Sequence, residues 1–389
     1  MDDRSLQAPH TLAPPQLQSG RRRPHQRLVA GHLSAALTVL LGFGLVGCSG
    51  SGATTVGDDP QGARGNVTRV AFGSCAHQSH PQPIWSAVVD TAPDFFVFMG
   101  DNVYGDVTTN DPQMNELRVA YDTMAANPDF AAARQALTIH PIWDDHDYGK
   151  NDAGGDFALR AQSKDIFREF WQIPDHDPRA SRQGLYHAWI EGKPGNRLQV
   201  ILLDTRSFRS ELTPTDEPDA PGKQRFMPEP DPSRTMLGEA QWTWLEAQLR
   251  KPAEVRLLVS SVQVIAEGHG FERWGNLPTE RQRLYDLLTR TQAAGVIMLS
   301  GDRHLGAIYR QDNHPYPLYE VTSSSLNRPL NRQIDEPGPN RQGEVFTKEN
   351  FGLLTIDWQK AVVLMELRGV DGKVVRTQTA SLLDLAPGR

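Results

Sequence analysis

The feature that most constrains this sequence is a repeated figure: a short apolar run that stops at a residue able to do chemistry. Val67–Phe72 runs into Gly73, Ser74 and Cys75, and Phe95–Met99 into Gly100 and Asp101. Leu137–Trp143 leads to Asp144, Asp145, His146 and Asp147, Val200–Leu203 to Asp204 and Arg206, and Val296–Leu299 to Gly301, Asp302 and His304. Such runs, bounded by Gly, Asp or Ser, are the pattern of strands buried on both faces. Arg256–Val262 reads as one more. Helical patterns lie between them at Ile84–Val89, Phe157–Trp171, Leu237–Leu249 and Thr279–Leu288, the last with Thr279 as its expected N-cap. This alternation gives an α/β fold, in which ligand groups gather where parallel strands end. Leu318–Val321, Gly352–Ile356, Ala361–Leu367 and Lys373–Thr377 read as antiparallel strands, the last two joined by a Val370-Asp371-Gly372 turn. Residues 211–234 and 327–347, rich in Pro, Gly and charge, read as loop insertions.

The strand ends carry an unusual charge. Asp144, Asp145, His146 and Asp147 put three carboxylates and an imidazole into four residues, a cluster that repels itself unless cations neutralise it. A solvated acidic loop or a structural calcium loop are the simpler readings. Acidic and imidazole groups on several different strands suit a dinuclear metal centre better, with one carboxylate bridging ions roughly 3.5–4 Å apart. Composition removes the competitors. Two cysteines build neither a disulfide scaffold nor a Cys-rich zinc site. A net charge of −7 offers no basic face for nucleic acid, and 38% hydrophobic residues with 8 Trp are too many for a disordered chain.

The first 47 residues differ from the rest. Five arginines precede Leu28, an uncharged stretch follows, and Leu45-Val46-Gly47-Cys48 leads into Ser49-Gly50-Ser51-Gly52. A basic region, an apolar region and small junction residues are the pattern of an export signal. The four residues 45–48 resemble a bacterial lipobox, making Cys48 the expected lipidation site. A single membrane-spanning anchor and, for Cys48, a disulfide to Cys75 are the alternatives, and Arg22-Arg23 leaves twin-arginine export open. Removing residues 1–47, which hold five of the 40 basic and two of the 47 acidic residues, leaves a net charge of −10. The expected organisation is signal 1–47, flexible tether 48–66 and one catalytic domain 67–389, in a monomer held at the cell envelope outside the cytoplasmic membrane by its lipid alone.

Taken together, "FGSC", "PDFFVFMGDNVYGD", "IWDDHDYGKND", "VILLDTR", "MLGEAQWTWLEAQL", "SSVQV", "LSGDRH" and "YEVTSSSL" resemble, in order and spacing over about residues 67–326, the alkaline phosphatase D (PhoD-like) family of the metallophosphoesterase superfamily. The resemblance implies a four-layer αββα sandwich with mixed sheets and metals at strand carboxyl ends. It implies hydrolysis of phosphoric esters by a metal-activated hydroxide at a dinuclear or multinuclear site. Residue by residue, it makes Asp101 the bridging carboxylate, Asp145 a metal ligand and His146 the catalytic histidine. It makes Asp147 the group that orients His146, and Asp302 and His304 the last ligand pair. Cys75 and Tyr104 correspond to a thiolate and a phenolate on iron. Fe(III) and Ca²⁺ are the implied cofactors, with another divalent metal open at the second site. Where the wider superfamily has a ligand histidine, this sequence has Ser260-Ser261-Val262-Gln263, so Gln263 or water must serve. Arg206 is the candidate clamp for phosphate oxygens, with a salt bridge as its bland alternative. Arg303 is expected to turn away from the metals, and His77, His80, His140 and His269 to be solvated or structural. A catalytically silent metal-binding surface lipoprotein on the same scaffold is the rival reading.

Overall fold

The computed structural model describes residues 66–388 apart from 219, 313 and 335. The export signal, Cys48 and all of the tether except Asn66 lie outside the described residues. Elements follow in the order β1 (Arg69–Gly73), α1 (Ile84–Asp90), β2 (Phe95–Met99), α2 (Asn115–Ala126), α3 (Pro128–Ala136) and β3 (Ile139–Ile142). Next come α4 (Asp145–Tyr148), α5 (Arg160–Phe170), α6 (Pro178–Ser181), β4 (His187–Glu191), β5 (Leu198–Leu202), α7 (Gly238–Leu249) and β6 (Val255–Ser260). The chain closes with α8 (Pro278–Thr291), β7 (Val296–Ser300), β8 (Gly306–Gln311), β9 (Leu318–Ser323), β10 (Asn350–Asp357), β11 (Val362–Gly369) and β12 (Val374–Ser381).

These strands form two mixed six-stranded sheets, ordered β12-β11-β10-β1-β2-β3 and β4-β5-β6-β7-β9-β8. In the first, β1, β2 and β3 run parallel, and β10, β11 and β12 continue antiparallel. In the second, β5, β6, β7 and β9 run parallel between antiparallel edges β4 and β8. Parallel strands flanked on both sides carry the most apolar sequence: every residue of β2 (FFVFM), β5 (LQVIL) and β7 (VIMLS) is buried. That is the arrangement expected of parallel strands covered on both faces, and the whole is an α/β fold of two mixed sheets. Strand β9, whose Leu318–Val321 was expected among the antiparallel strands, pairs parallel with β7 and is antiparallel only to β8.

Local signals explain the starts of some helices. The Asn127 side chain accepts from the backbone N–H of Asp129 and Phe130, with Pro128 at the first helical position of α3. For α8 the expected N-cap is corrected. Proline again starts the helix, Leu277 precedes it, and Thr279 gives its hydroxyl to Pro230 O at 2.9 Å. Glu280, in the first turn of α8, accepts from Met236 N at 2.7 Å and Trp242 Nε1 at 2.8 Å, tying α7 to α8. Among the described residues no helix is long and apolar enough to cross a membrane.

Candidate metal centre

The carboxyl ends of the parallel strands from both sheets meet. A Cβ on Gly301, just past β7, would stand 2.6 Å from Ser74 Oγ and 3.0 Å from Met99 O of the first sheet. Gly100 has φ 100°, and a Cβ there would lie 2.5 Å from Asp144 Cβ. Only glycine allows that backbone and that approach.

Around this junction four groups of residues bring ligand-capable atoms within 4.8 Å of one another: Cys75, Asp101 and His304; Asp101, Asp145 and His146; Asp144, Asp145 and Asp302; and Asp145, Asp152 and Glu272. Asp101 belongs to two groups and Asp145 to three, so the groups join into one connected cluster. The backbone is bent to build it. Cys75, Asp101, Asp302 and His304 have φ of 62°, 47°, 68° and 55°. Left-handed backbone costs a non-glycine residue about 1–2 kcal/mol, so the surrounding packing must hold these four in place.

At one end of the cluster four donor types converge. Tyr104 donates its hydroxyl to Asp101 Oδ2 at 3.0 Å and lies 3.1 Å from His304 Nε2, while Cys75 Sγ lies 3.4 Å from Asp101 Oδ2. Without cations these groups cling to their protons. Burial, reinforced by Asp101, pushes the Cys75 thiol and the Tyr104 phenol well above their ordinary values. Burial also raises Asp101 against the pull of His146, and raises Asp302 together with Asp144, Glu272 and Asp145. Asp144 sits at about 7, burial, Asp145 and Glu272 outweighing Arg206. Asp145 alone is held below the usual carboxylate range: His146 and Arg206 overcome its burial. For His146 burial works downward, but Asp145, Asp101 and Asp106 carry it up to about 10.

These residues fit metal ions. Asp101 Oδ1 and Asp144 Oδ2 are buried carboxylate oxygens with no hydrogen-bond partner, a state that costs about 1–3 kcal/mol or more each and that a cation relieves. The thiol, phenol, imidazole and carboxyl of Cys75, Tyr104, His304 and Asp101 are the donor set of a transition metal. The oxygen-only set of Asp144, Asp145 and Asp302 suits a hard divalent ion.

Three expectations change. The carboxylate on His146 is Asp106, whose Oδ2 lies 2.5 Å from Nδ1; Asp147 instead accepts from the backbone N–H of Asn102 at 3.0 Å and of Asp144 at 2.6 Å. Neighbours in a helical turn point apart, so Asp147 cannot reach the imidazole beside it. Arg206 is fully buried, with Nε on Asp144 Oδ1 at 2.6 Å and Nη1 on Glu272 Oε2 at 2.7 Å; it braces the acidic floor and is not free to clamp phosphate. Gln263 is spent in the core, donating to Thr322 Oγ1 at 2.8 Å and pairing with His269 Nε2 at 2.8 Å. Arg303 does turn away, onto Glu336. Asp106, Asp152 and Glu272 were not singled out from sequence. The first two stand inside the "GDNVYGD" and "DDHDYGKND" stretches, whereas Glu272 sits in a loop that carries no signal.

The profile of the PhoD-like phosphatases matches residues 70–367, more than three quarters of the sequence. The chain belongs to the PhoD-like phosphatase family. Alkaline phosphatase D of Bacillus subtilis (strain 168) is 21% identical over 308 residues, covering 67% of this chain and 49% of that protein. The chain thus spans about half the length of that curated relative. Among solved structures, one described as the structure of PhoD superposes with a TM-score of 0.62 at 16% identity, over 82% of this chain and 69% of its own. GAP50, the anchor in the inner membrane complex of Plasmodium, gives 0.52 at 13% identity over 83% and 90%. At these identities the two structures support the fold, and the family assignment rests on the profile.

Proposed function

We propose that the chain is a metal-dependent phosphoric ester hydrolase of the alkaline phosphatase/phosphodiesterase type. The observation that carries this is the joining of Asp101 and Asp145 to ligand groups from both sheets, with His146 inside the same cluster. Family membership supports it. Bound metal ions would lower the pKa of a water and neutralise charge gathering on the phosphoryl group. The remaining roles fall to side chains. Asp101 links the Cys75–Tyr104–His304 end to the Asp145 end, and Asp144, Asp145 and Asp302 hold the second end. The Nδ1 of His146 is fixed on Asp106 at 2.5 Å, so Nε2 is the atom that would give a proton to the leaving oxygen. Fe(III) at the sulfur-containing end and Ca²⁺ at the oxygen-only end suit the donors. We extend the proposal to residues 1–47 as an export signal, Cys48 as a lipidation site, 48–66 as a tether and 67–389 as a monomeric catalytic domain at the cell envelope.

The test is the full-length chain assayed on p-nitrophenyl phosphate, its bis ester and phosphatidylcholine, with elemental analysis of metals. His146→Ala is expected to keep its metals and lose roughly 10²–10⁴-fold in kcat. Equal activity in that variant refutes the role of His146. Bound metal with no hydrolysis of any ester by the wild type favours a silent metal-binding protein.

A further inference from the structure

Arg206, buried on Asp144 and Glu272, is not available to the phosphoryl oxygens of a substrate. We infer that Arg328, at the mouth of the metal-ligand cluster, is the residue that grips the non-bridging oxygens of a phosphoester. The inference rests on the phosphoester reading above.

Arg328 opens the insertion that follows β9, and its backbone is set by the site itself. Leu326 N donates to Ser74 O at 3.0 Å, and Asn327 N to Cys75 O at 3.4 Å. The Asn327 side chain accepts from His77 N at 2.6 Å and donates to His77 O at 2.9 Å, and Leu330 N donates to His304 O at 3.1 Å. Arg328 is therefore held between the loop of Cys75 and the loop of His304. Its guanidinium lies 4.0 Å over the ring of Tyr104, whose hydroxyl bonds Asp101 and approaches His304.

What distinguishes this arginine is its charge balance. Arg206 spends its guanidinium on Asp144 and Glu272, Arg209 on Glu272, and Arg303 on Glu336. Among the described residues Arg328 has no carboxylate partner, and its guanidinium rests on the ring of Tyr104. It is half-buried, so its cation is partly stripped of water without an ion pair in return. With cations in the acidic cluster below, the mouth becomes positive. A guanidinium fork fits two oxygens of a tetrahedral anion at once. Beside it His77 stacks on Tyr104 at 5.3 Å and on His80 at 4.2 Å, so imidazole rings flank the ring that carries the guanidinium.

The test compares metal-loaded wild-type protein with Arg328→Met and Arg328→Lys. Arg328→Met keeps an aliphatic stem over Tyr104, and Arg328→Lys keeps the charge without the fork. Binding of inorganic phosphate is measured by calorimetry, alongside metal content and kcat and KM on p-nitrophenyl phosphate. Expected are unchanged metal content, phosphate affinity about 10- to 100-fold weaker in Arg328→Met, and partial recovery in Arg328→Lys. Unchanged phosphate affinity in Arg328→Met overturns the inference. So does loss of metal in that variant, which would make Arg328 a support for Tyr104, and so does failure of the metal-loaded wild type to bind phosphate. Phosphate binding needs no turnover. A wild type that binds phosphate through Arg328 but hydrolyses none of the esters therefore sinks the hydrolase reading and leaves this one standing.

Discussion

Asp101 and Asp204 have the same signature in the sequence, an apolar run followed by aspartate, and both are buried at strand ends. Their surroundings are opposite. Asp204 is fully occupied by the fold: Oδ1 accepts from Arg206 N at 3.0 Å and Ser207 N at 2.9 Å, and Oδ2 from Leu185 N and Ser207 Oγ, both at 2.7 Å. Asp101 has left-handed backbone, one oxygen with no partner, and on the other only the protons of Cys75 and Tyr104. A carboxylate saturated by backbone donors is a staple; one left short of donors beside other acids is a place for a cation.

The largest expected effect separates the pair. Asp101→Asn should lose at least about 10³-fold in hydrolysis together with bound metal, because it removes the carboxylate that joins the two ends of the cluster. Its metal-free form should unfold at or near the wild-type temperature, since burial, with Asp145 and Asp144 nearby, already disfavours the charged form of Asp101 and a neutral amide replaces it. Asp204→Asn should do the reverse: metal retained, but stability lower by about 2–4 kcal/mol in urea unfolding, since the amide accepts at one atom only. Equal behaviour of the two variants would erase the distinction.

The sequence shows why the strands were easier to read than the roles. β1, β2, β5, β6 and β7 are mostly apolar runs because both faces of each are covered, and such runs need no context to be recognised. The antiparallel edges β4, which is only partly buried, and β8, which is buried over Gly306–Tyr309 but ends in Arg310 and Gln311, were missed. Helix α2 begins after Met114, a left-handed residue without a side-chain cap, so it has no start signal. The ligand candidates Cys75, Asp101, Asp145, Asp302 and His304 were legible as strand-end chemistry. The partner of His146 was not, because Asp106 is 40 residues away, while adjacent Asp147 is turned to the backbone of Asn102.

Asp106 gives the next test. Asp106→Asn should lower kcat by about 10- to 100-fold with metal content unchanged, because the imidazole loses the carboxylate that orients it. Asp147→Asn should instead cost stability, about 1–3 kcal/mol by thermal unfolding, by weakening its hold on the N–H groups of Asn102 and Asp144.

The smallest effect lies away from both aspartates. Burial and then Arg179 lower His187 from 6.5 to about 3. The folded state therefore binds fewer protons than the unfolded chain between those values. The stability from keeping this ring neutral is full above about pH 6.5 and is lost as pH falls toward 3. Between pH 7.5 and 5.0 the wild type should lose about 1 kcal/mol more than His187→Gln in urea unfolding, the incomplete burial of the ring limiting the effect.

The most direct measurement is hydrolysis of p-nitrophenyl phosphate by protein stripped of metal, then resupplied with Fe(III) and Ca²⁺, in wild type and Asp101→Asn. Activity of the wild type should fall to background on stripping and return on resupply, while Asp101→Asn stays silent throughout. Undiminished hydrolysis by protein that elemental analysis shows to be free of metal would contradict a metal centre built on Asp101.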